Sequence, residues 1–412
     1  MNRGFYIILA AQFFSALADN ALLFAAIALL HEVHAPEWHT PILQAVFVIS
    51  YIVLAPFVGA FSDSLPKGRV MLISNGIKLG GCVAMLFGAN PLLAYAVVGL
   101  GAAAYSPAKY GILTEYLPPD KLVLANSWME GLTVAAIVLG AVLGGTLVGA
   151  HVSAQMLQWW DVPMVETGID SAPELAIVIV AATYLVAALF NLYIPRVPIE
   201  HQPISCSPIA LIGEFMHCFK LLWKDPLGQV SLSVTTLFWG AGATLRLIVL
   251  AWAATALHYD MGEAATLTAW VAIGIAIGAT LAAKFVQLEH SVKVLPMGIV
   301  MGLVVLAMIP VTHPLLAIFL LIGIGAMGGY LVVPMNALLQ HRGHLLMGAG
   351  RSISVQNFNE NISIFSMLAL FSWMEKMELS IYTITLVFGL LLSGAMAVLY
   401  RKHGHDQDAG QM

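Results

Sequence analysis

The sequence predicts an all-α membrane protein whose twelve transmembrane helices form two six-helix, pseudo-symmetric halves. Three observations carry that prediction. Charged residues make up 9% of the 412 and hydrophobic residues 60%, with a mean hydropathy of +0.89. Soluble proteins carry about 25% charged residues, because their exterior needs polar cover that lipid makes unnecessary. Twelve apolar stretches follow one another, each near the ~20 residues that cross a bilayer. The few basic residues also sort to one side of the resulting topology.

The stretches cover residues 5–31, 41–62, 70–90, 92–117, 122–151 and 174–195, then 227–257, 264–288, 293–312, 314–341, 351–374 and 380–400. The first follows Asn2 and Arg3 and resembles the start of a signal peptide. It is too long for an h-region and has no convincing cleavage site, so it reads as an uncleaved span. The chain therefore divides into an N-terminal half (1–195), a linker (196–226), a C-terminal half (227–400) and a tail (401–412). The linker carries Pro198, Pro203 and Pro208, then SPIALIGEFMHCFKLLWKD, whose apolar residues recur at helical spacing. Lys220 and Lys224 among them suggest an amphipathic helix on the membrane surface. Cys82, Cys206 and Cys218 are scattered and show neither a disulfide framework nor a metal-type spacing. Cys206 and Cys218 are expected to react from the cytoplasmic side, and Cys82, mid-span, from neither.

Orientation follows from lysine and arginine. With the amino terminus inside, the cytoplasmic segments hold Arg3, Lys67, Arg69, Lys121, Arg196, Lys220, Lys224, Lys284, Lys293, Arg342, Arg351, Arg401 and Lys402. The outside holds Lys376, and Lys78, Lys109 and Arg246 lie within spans. Both termini are then cytoplasmic.

The halves share more than hydropathy. FFSALADNALLF from Phe13 aligns with FWGAGATLRLIV from Phe238, setting Asp19 against Thr244 and Ala21 against Arg246. PAKYGILTE from Pro107 aligns with the segment at Pro334, setting Lys109 against Asn336, and ANSWMEG aligns with VQNFNEN, setting Glu130 against Glu360. Three matches in one order point to duplication, and a transporter with its site at the repeat interface is the natural reading.

Between the second and third spans lies GAFSDSLPKGRVML from Gly59. It resembles the G-x-x-x-D-x-x-(x)-R/K-x-G-R/K loop of the major facilitator superfamily, with Asp63, Lys67, Gly68 and Arg69 in the recognisable positions. Gly59 permits close helix approach, and the charges suit helix ends and anionic headgroups. Within that superfamily the chain resembles the bacterial lysophospholipid transporter family. The segments SALADNALLFAAIALL, GLGAAAYSPAKYGILTEYLPPDKLVLANSWMEG, LFWGAGATLRLIVLAWA and MGAGRSISVQNFNEN carry the resemblance, ADNALLF and SPAKYGIL most specifically. It implies a major facilitator fold in the bacterial inner membrane. It also implies inward movement of lysophosphatidylethanolamine and lysophosphatidylglycerol, which a separate acyltransferase/acyl-carrier-protein synthetase then re-acylates. The expected partners are this substrate and membrane lipids, with no nucleic acid and a monomeric state.

An ionisable side chain inside a span costs several kcal/mol unless it finds a partner or water. Asp19, Lys78, Lys109, Glu130, Arg246 and Glu360 qualify, three of each sign. At ~1.5 Å per residue, Asp19 and Arg246 lie beyond the midplane, whereas Lys109, Lys78, Glu130 and Glu360 form an inner, cytoplasmic layer. In a major facilitator fold the first, fourth, seventh and tenth helices line the cavity, and Asp19, Lys109, Arg246 and Asn336 each occupy one of them. The expected substrate residues are therefore Asp19 with Asn20, Lys109, Arg246 and Asn336. Arg246 or Lys109 would take the phosphate and Asp19 the ethanolamine ammonium. Asp63, Lys67, Arg69, Lys78, Glu130 and Glu360 are expected as gating or structural charge. Two alternatives stay open: Asp19 and Arg246 as a static ion pair, and Lys109 as a structural partner of Glu130.

The cluster His341, Arg342 and His344 reads as a solvated basic loop rather than a metal or phosphate site. No nucleophile–base set or metal constellation stands out, so neither an enzyme nor a cofactor is expected. A proton-coupled carrier of a small amphipathic solute, with Asp19 holding the proton, is the competing function; a sensor or scaffold without transport is the third.

Overall fold

The computed structural model describes residues 2–36, 39–149, 171–198 and 207–404. All regular structure among them is helical. The helices are α1 (Arg3–Glu32), α2 (His39–Ser64), α3 (Lys67–Leu86), α4 (Pro91–Tyr116), α5 (Leu122–Leu147), α6 (Ala172–Leu192) and α7 (Pro208–Lys224). They continue as α8 (Pro226–Ala256), α9 (Met261–Phe285), α10 (Leu295–Ala307), α11 (Pro314–Met347), α12 (Ala349–Lys376) and α13 (Ile381–His403). Short 3-10 turns at Pro119–Lys121 and Leu288–Val294 lead into α5 and α10.

Local chemistry sets the ends. The Asn2 side chain accepts from the Phe5 amide at 3.1 Å, and capping boxes at Ser171/Glu174 and Asp260/Glu263 open α6 and α9. Proline stands in the first turn of α6, α8, α10 and α11, where its missing N–H costs nothing. Gly348, at φ +101°, separates α11 from α12 with a conformation that side chains rarely adopt. The tenth span runs on as helix to Met347, past the 341 expected from hydropathy.

Among the described residues eleven helices are long and apolar enough to cross a membrane. α12, expected as the eleventh span, has 28 residues but too little apolar content. Its polar residues Gln356, Asn357, Asn359 and Glu360 are buried, so they face protein rather than lipid.

The chain forms two compact units. Unit 1 comprises Met1–Glu115 and Ala135–Glu214, and unit 2 comprises Tyr116–Val134 and Phe215–Met412. The grouping differs from the sequence division at α5, whose first half belongs with unit 2. Two hydrogen bonds between the Asn126 and Gln340 amides, 2.9 and 2.8 Å, fasten that half to α11.

In unit 1, α6 packs on α1 and α3 around Ala18, Leu22, Ala25, Val98, Ile177, Val180 and Tyr184. In unit 2, α9 lies against α11, α10 against α13, and α8 against α11 and α12. The α9–α11 contact is backbone on backbone. A Cβ on Gly274 or Gly278 would collide with the carbonyl oxygen of Ile322 or Ala326, and one on Gly325 or Gly329 with that of Val271 or Ile275. Such four-residue glycine spacing lets membrane helices touch closely, where dispersion replaces the hydrophobic effect.

The expected linker helix is present as α7. Leu211, Phe215, Cys218 and Leu222 are buried, while Ile209, Ile212, Met216, Lys220 and Lys224 are exposed. The Phe358 ring of α12 meets Phe215 and Phe219 edge-on at 5.3 and 6.1 Å. Burial of Cys218 corrects the expectation that its thiol is open to the cytoplasm. Cys206 lies outside the described residues, and Cys82 is a buried free thiol as expected.

Candidate functional site

Polar side chains inside the spans gather at separate places in the two units. Asp19 on α1 is the centre of the first. Its Oδ2 accepts from Lys78 Nζ of α3 at 2.8 Å, and its Oδ1 accepts from the Tyr184 hydroxyl of α6 at 2.6 Å. Lys78 also donates to Ser15 Oγ at 3.0 Å, and Ser15 donates to Asn75 Oδ1 at 2.8 Å. The ammonium lies 4.7 Å from the Tyr105 ring centroid and 5.5 Å from that of Tyr184. Lys78 is wholly buried, whereas the Asp19 side chain keeps 21% exposure. A lysine so far from water needs a carboxylate and aromatic faces together. Gly101 makes the room, since a Cβ there would strike the Lys78 stem at 2.6 Å.

Lys78 therefore stands at the level of Asp19, which corrects the inner-layer position expected for it. Counting residues from helix ends assumes that all helices start in one plane and run parallel. Helices in membranes tilt. Asn20, next along α1, turns its amide back to the Ala16 carbonyl at 2.8 Å.

The second cluster of unit 1 sits at the ends of α2, α3 and α4. Lys67 Nζ binds Asp63 Oδ1 at 2.7 Å, Glu115 Oε1 at 3.1 Å and the Ser62 carbonyl at 2.7 Å, using all three of its donors. The three charged side chains are 8% exposed or less. Arg69, from the same loop, is exposed. Lys109 is buried on α4, its ammonium 4.7 Å from the Tyr110 ring centroid.

In unit 2 the polar interior is built of amides and carboxylates. Asn336 Nδ2 of α11 donates to Glu130 Oε1 of α5 at 3.4 Å. Gln356 Nε2 of α12 donates to Asn336 Oδ1 at 2.8 Å and to Glu360 Oε1 at 2.7 Å. One chain of hydrogen bonds thus joins Glu130 to Glu360, the residues matched by the internal repeat. Arg246, on α8, is exposed. Arg342, at the end of α11, holds Asp225 through Nε at 3.2 Å and Nη2 at 2.5 Å, while Asp225 caps the Gly228 amide of α8.

Sequence reasoning missed Tyr184, Tyr105, Ser15 and Asn75 around Lys78, Glu115 beside Lys67, and Gln356 between the carboxylates. Ser15 was detectable in principle, being one turn before Asp19, and Glu115 closes the quoted PAKYGILTE segment. The tyrosines had no signal, since aromatic residues in an apolar run read as packing.

The family model of the Major Facilitator Superfamily matches residues 8–366. The lysophospholipid transporter LplT of Yersinia enterocolitica is 45% identical over 379 residues, 92% of this chain and 88% of that protein. The LplT of Serratia proteamaculans is 45% identical over 377 residues, 91% and 89% of the two chains. The outward conformation of the transporter FucP superposes with a TM-score of 0.73 at 13% identity, covering 96% of this chain and 97% of the other. A bacterial homologue of the iron transporter ferroportin does so with 0.68 at 17%, covering 97% and 100%.

Proposed function

The chain belongs to the Major Facilitator Superfamily, in the family of the lysophospholipid transporter LplT, and on that premise we propose that it carries lysophospholipid across the bacterial inner membrane. The observation that carries the reading is 45% identity over nine-tenths of both chains. The chemistry of the described residues supports it. Asp19, partly exposed at a neutral charge pair, and the exposed guanidinium of Arg246 are polar handles on apolar, membrane-length helices. A headgroup phosphate suits a guanidinium, which offers paired donors, and Lys109 is a second cation for it. The acyl chain needs only apolar wall.

Transport proceeds by alternating exposure of the site to the two sides of the membrane. Both termini are cytoplasmic in this reading, which the bias of the basic residues supports. Asp63, Lys67 and Arg69 serve the cytoplasmic gate, joined by Glu115. α7 lies along the inner surface, with Ile209, Ile212 and Met216 in the leaflet. The delivered lipid is re-acylated by a separate acyltransferase, and the transporter works as a monomer.

The test is uptake of labelled lysophosphatidylethanolamine and lysophosphatidylglycerol by proteoliposomes and spheroplasts, with and without an ionophore. Both lysolipids should enter, and a diacyl phospholipid should enter poorly. Indifference to lysolipid together with ionophore-sensitive uptake of an amphipathic solute would replace this reading with a proton-coupled carrier.

A further inference from the structure

Unit 2 contains an excess of buried acceptors around Gln356. This side chain is 5% exposed, and its Nε2 is committed to Asn336 Oδ1 and Glu360 Oε1. Its Oε1 is buried and accepts no hydrogen bond. Reversing the amide would set three oxygens against one another, so the network fixes which end is oxygen. Glu360, 8% exposed, accepts from the uncharged Gln356 amide at 2.7 Å. Glu130 stands at the far end of the same chain of amides. A shielded amide oxygen calls for a donor, and a buried carboxylate beside it for one that carries positive charge.

We infer that this cluster, on α12 with α11 and the first half of α5, is a binding site for a primary ammonium group: the headgroup amine of lysophosphatidylethanolamine. The inference rests on the transport reading above and adds a site to it. It also moves the amine away from Asp19, where the sequence placed it. Asp19 already has its charge matched by the Lys78 ammonium and a second donor in Tyr184, so a ligand amine there would compete with a cation in place. At Gln356 the acceptor is left over, and an ammonium brings three N–H groups for Gln356 Oε1, Glu360 and a third oxygen. A metal ion fits less well, because the Gln356 N–H group sits between the oxygens it would need and would have to be evicted.

The hydrogen bonds themselves bring the three helices to one level, Glu130 of α5 to Asn336 of α11 and Asn336 to Gln356 of α12. Every side chain of the cluster is nine-tenths or more buried, so the site is closed in this structure.

The test compares two headgroups on one protein. Wild type, Glu360→Gln and Gln356→Met are reconstituted, and initial rates are measured for lysophosphatidylethanolamine and lysophosphatidylglycerol, in sodium and in N-methylglucamine buffer. Thermal melting in detergent with each lipid follows binding independently of transport. Glu360→Gln should lower the ethanolamine rate by about tenfold or more relative to the glycerol rate, as expected for one lost charge-assisted hydrogen bond, and should abolish the extra melting shift by the ethanolamine lipid. Gln356→Met should move the ratio the same way. An equal loss for both lipids in a folded protein, or an unchanged ratio, overturns the inference. A sodium requirement shared by both lipids and lost in Glu360→Gln overturns it in favour of a metal site. If wild type neither moves nor binds either lysolipid, the transport reading falls, and the site with it.

Discussion

The two units solve one problem with different chemistry. Unit 1 buries full charges and neutralises them at once: Lys78 with Asp19, and Lys67 with Asp63 and Glu115. Unit 2 lines its interior with amides, which join Glu130 to Glu360 and Asn126 to Gln340. The ion pair of Arg342 with Asp225 in unit 2 is more exposed, at 25% and 11%. The alignment that sets Pro107 against Pro334 also sets Glu115 against Arg342, eight residues further on in each case. Equivalent helix ends thus carry opposite charges, each held by a partner within its own unit. The aligned segments share positions on helices, while the polar interiors built on them have little in common. An ion pair is rigid and costly to open, because breaking it strands a charge. An amide chain can re-pair, since each amide both donates and accepts.

The largest expected effect comes from breaking the buried pair. Lys78→Met leaves the Asp19 carboxylate inside a span without its counter-ion, which should cost about 3–5 kcal/mol and be seen as low yield and early melting in detergent. Adding Asn at position 19 should restore most of the melting temperature. If Lys78→Met melts like wild type, unit 1 does not depend on its ion pairs and the contrast fails.

Next is a direct comparison of the two helix-end clusters. Lys67→Met should destabilise by about 2–4 kcal/mol, because it leaves Asp63 and Glu115 facing each other without the ammonium between them. Arg342→Met, which removes a partly exposed pair, should cost about 1 kcal/mol or less. Melting temperatures in one detergent decide this; equal shifts would mean that burial does not distinguish the two clusters.

The last test probes the amides. Gln340→Leu leaves Asn126 Oδ1 without its donor and should cost about 1–3 kcal/mol. Replacing Asn126 by Leu as well should return part of that loss, since two apolar side chains then meet. A double variant worse than the single one would show that the amide pair holds α5 in a way packing cannot replace.

Much of this was legible beforehand. Composition, span length and repeated segments pointed to the fold, because a bilayer imposes an average property on long stretches of chain, and averages survive without coordinates. The loop at Asp63 and Lys67 was readable because its members are close in sequence. α12 reads as an apolar stretch over 351–374, with its match to ANSWMEG beside it, although its apolar content falls short of a span.

The sequence by itself determined that Asp19, Lys78, Lys109, Glu130, Arg246 and Glu360 lie within membrane-length helices, where each needs a partner or water. Tertiary structure decided which partner. Lys78 is 59 residues from Asp19 and Tyr184 is 165, and Glu130 reaches Asn336 across 206. Nothing in helical periodicity selects among such distant residues. The choice depends on how far each helix is shifted and rotated against its neighbours, and one turn of rotation covers every direction in fewer than four residues. That is set by contacts such as Gly101 on Lys78 and Gly278 on Ala326, where a single methyl group would push the helices apart.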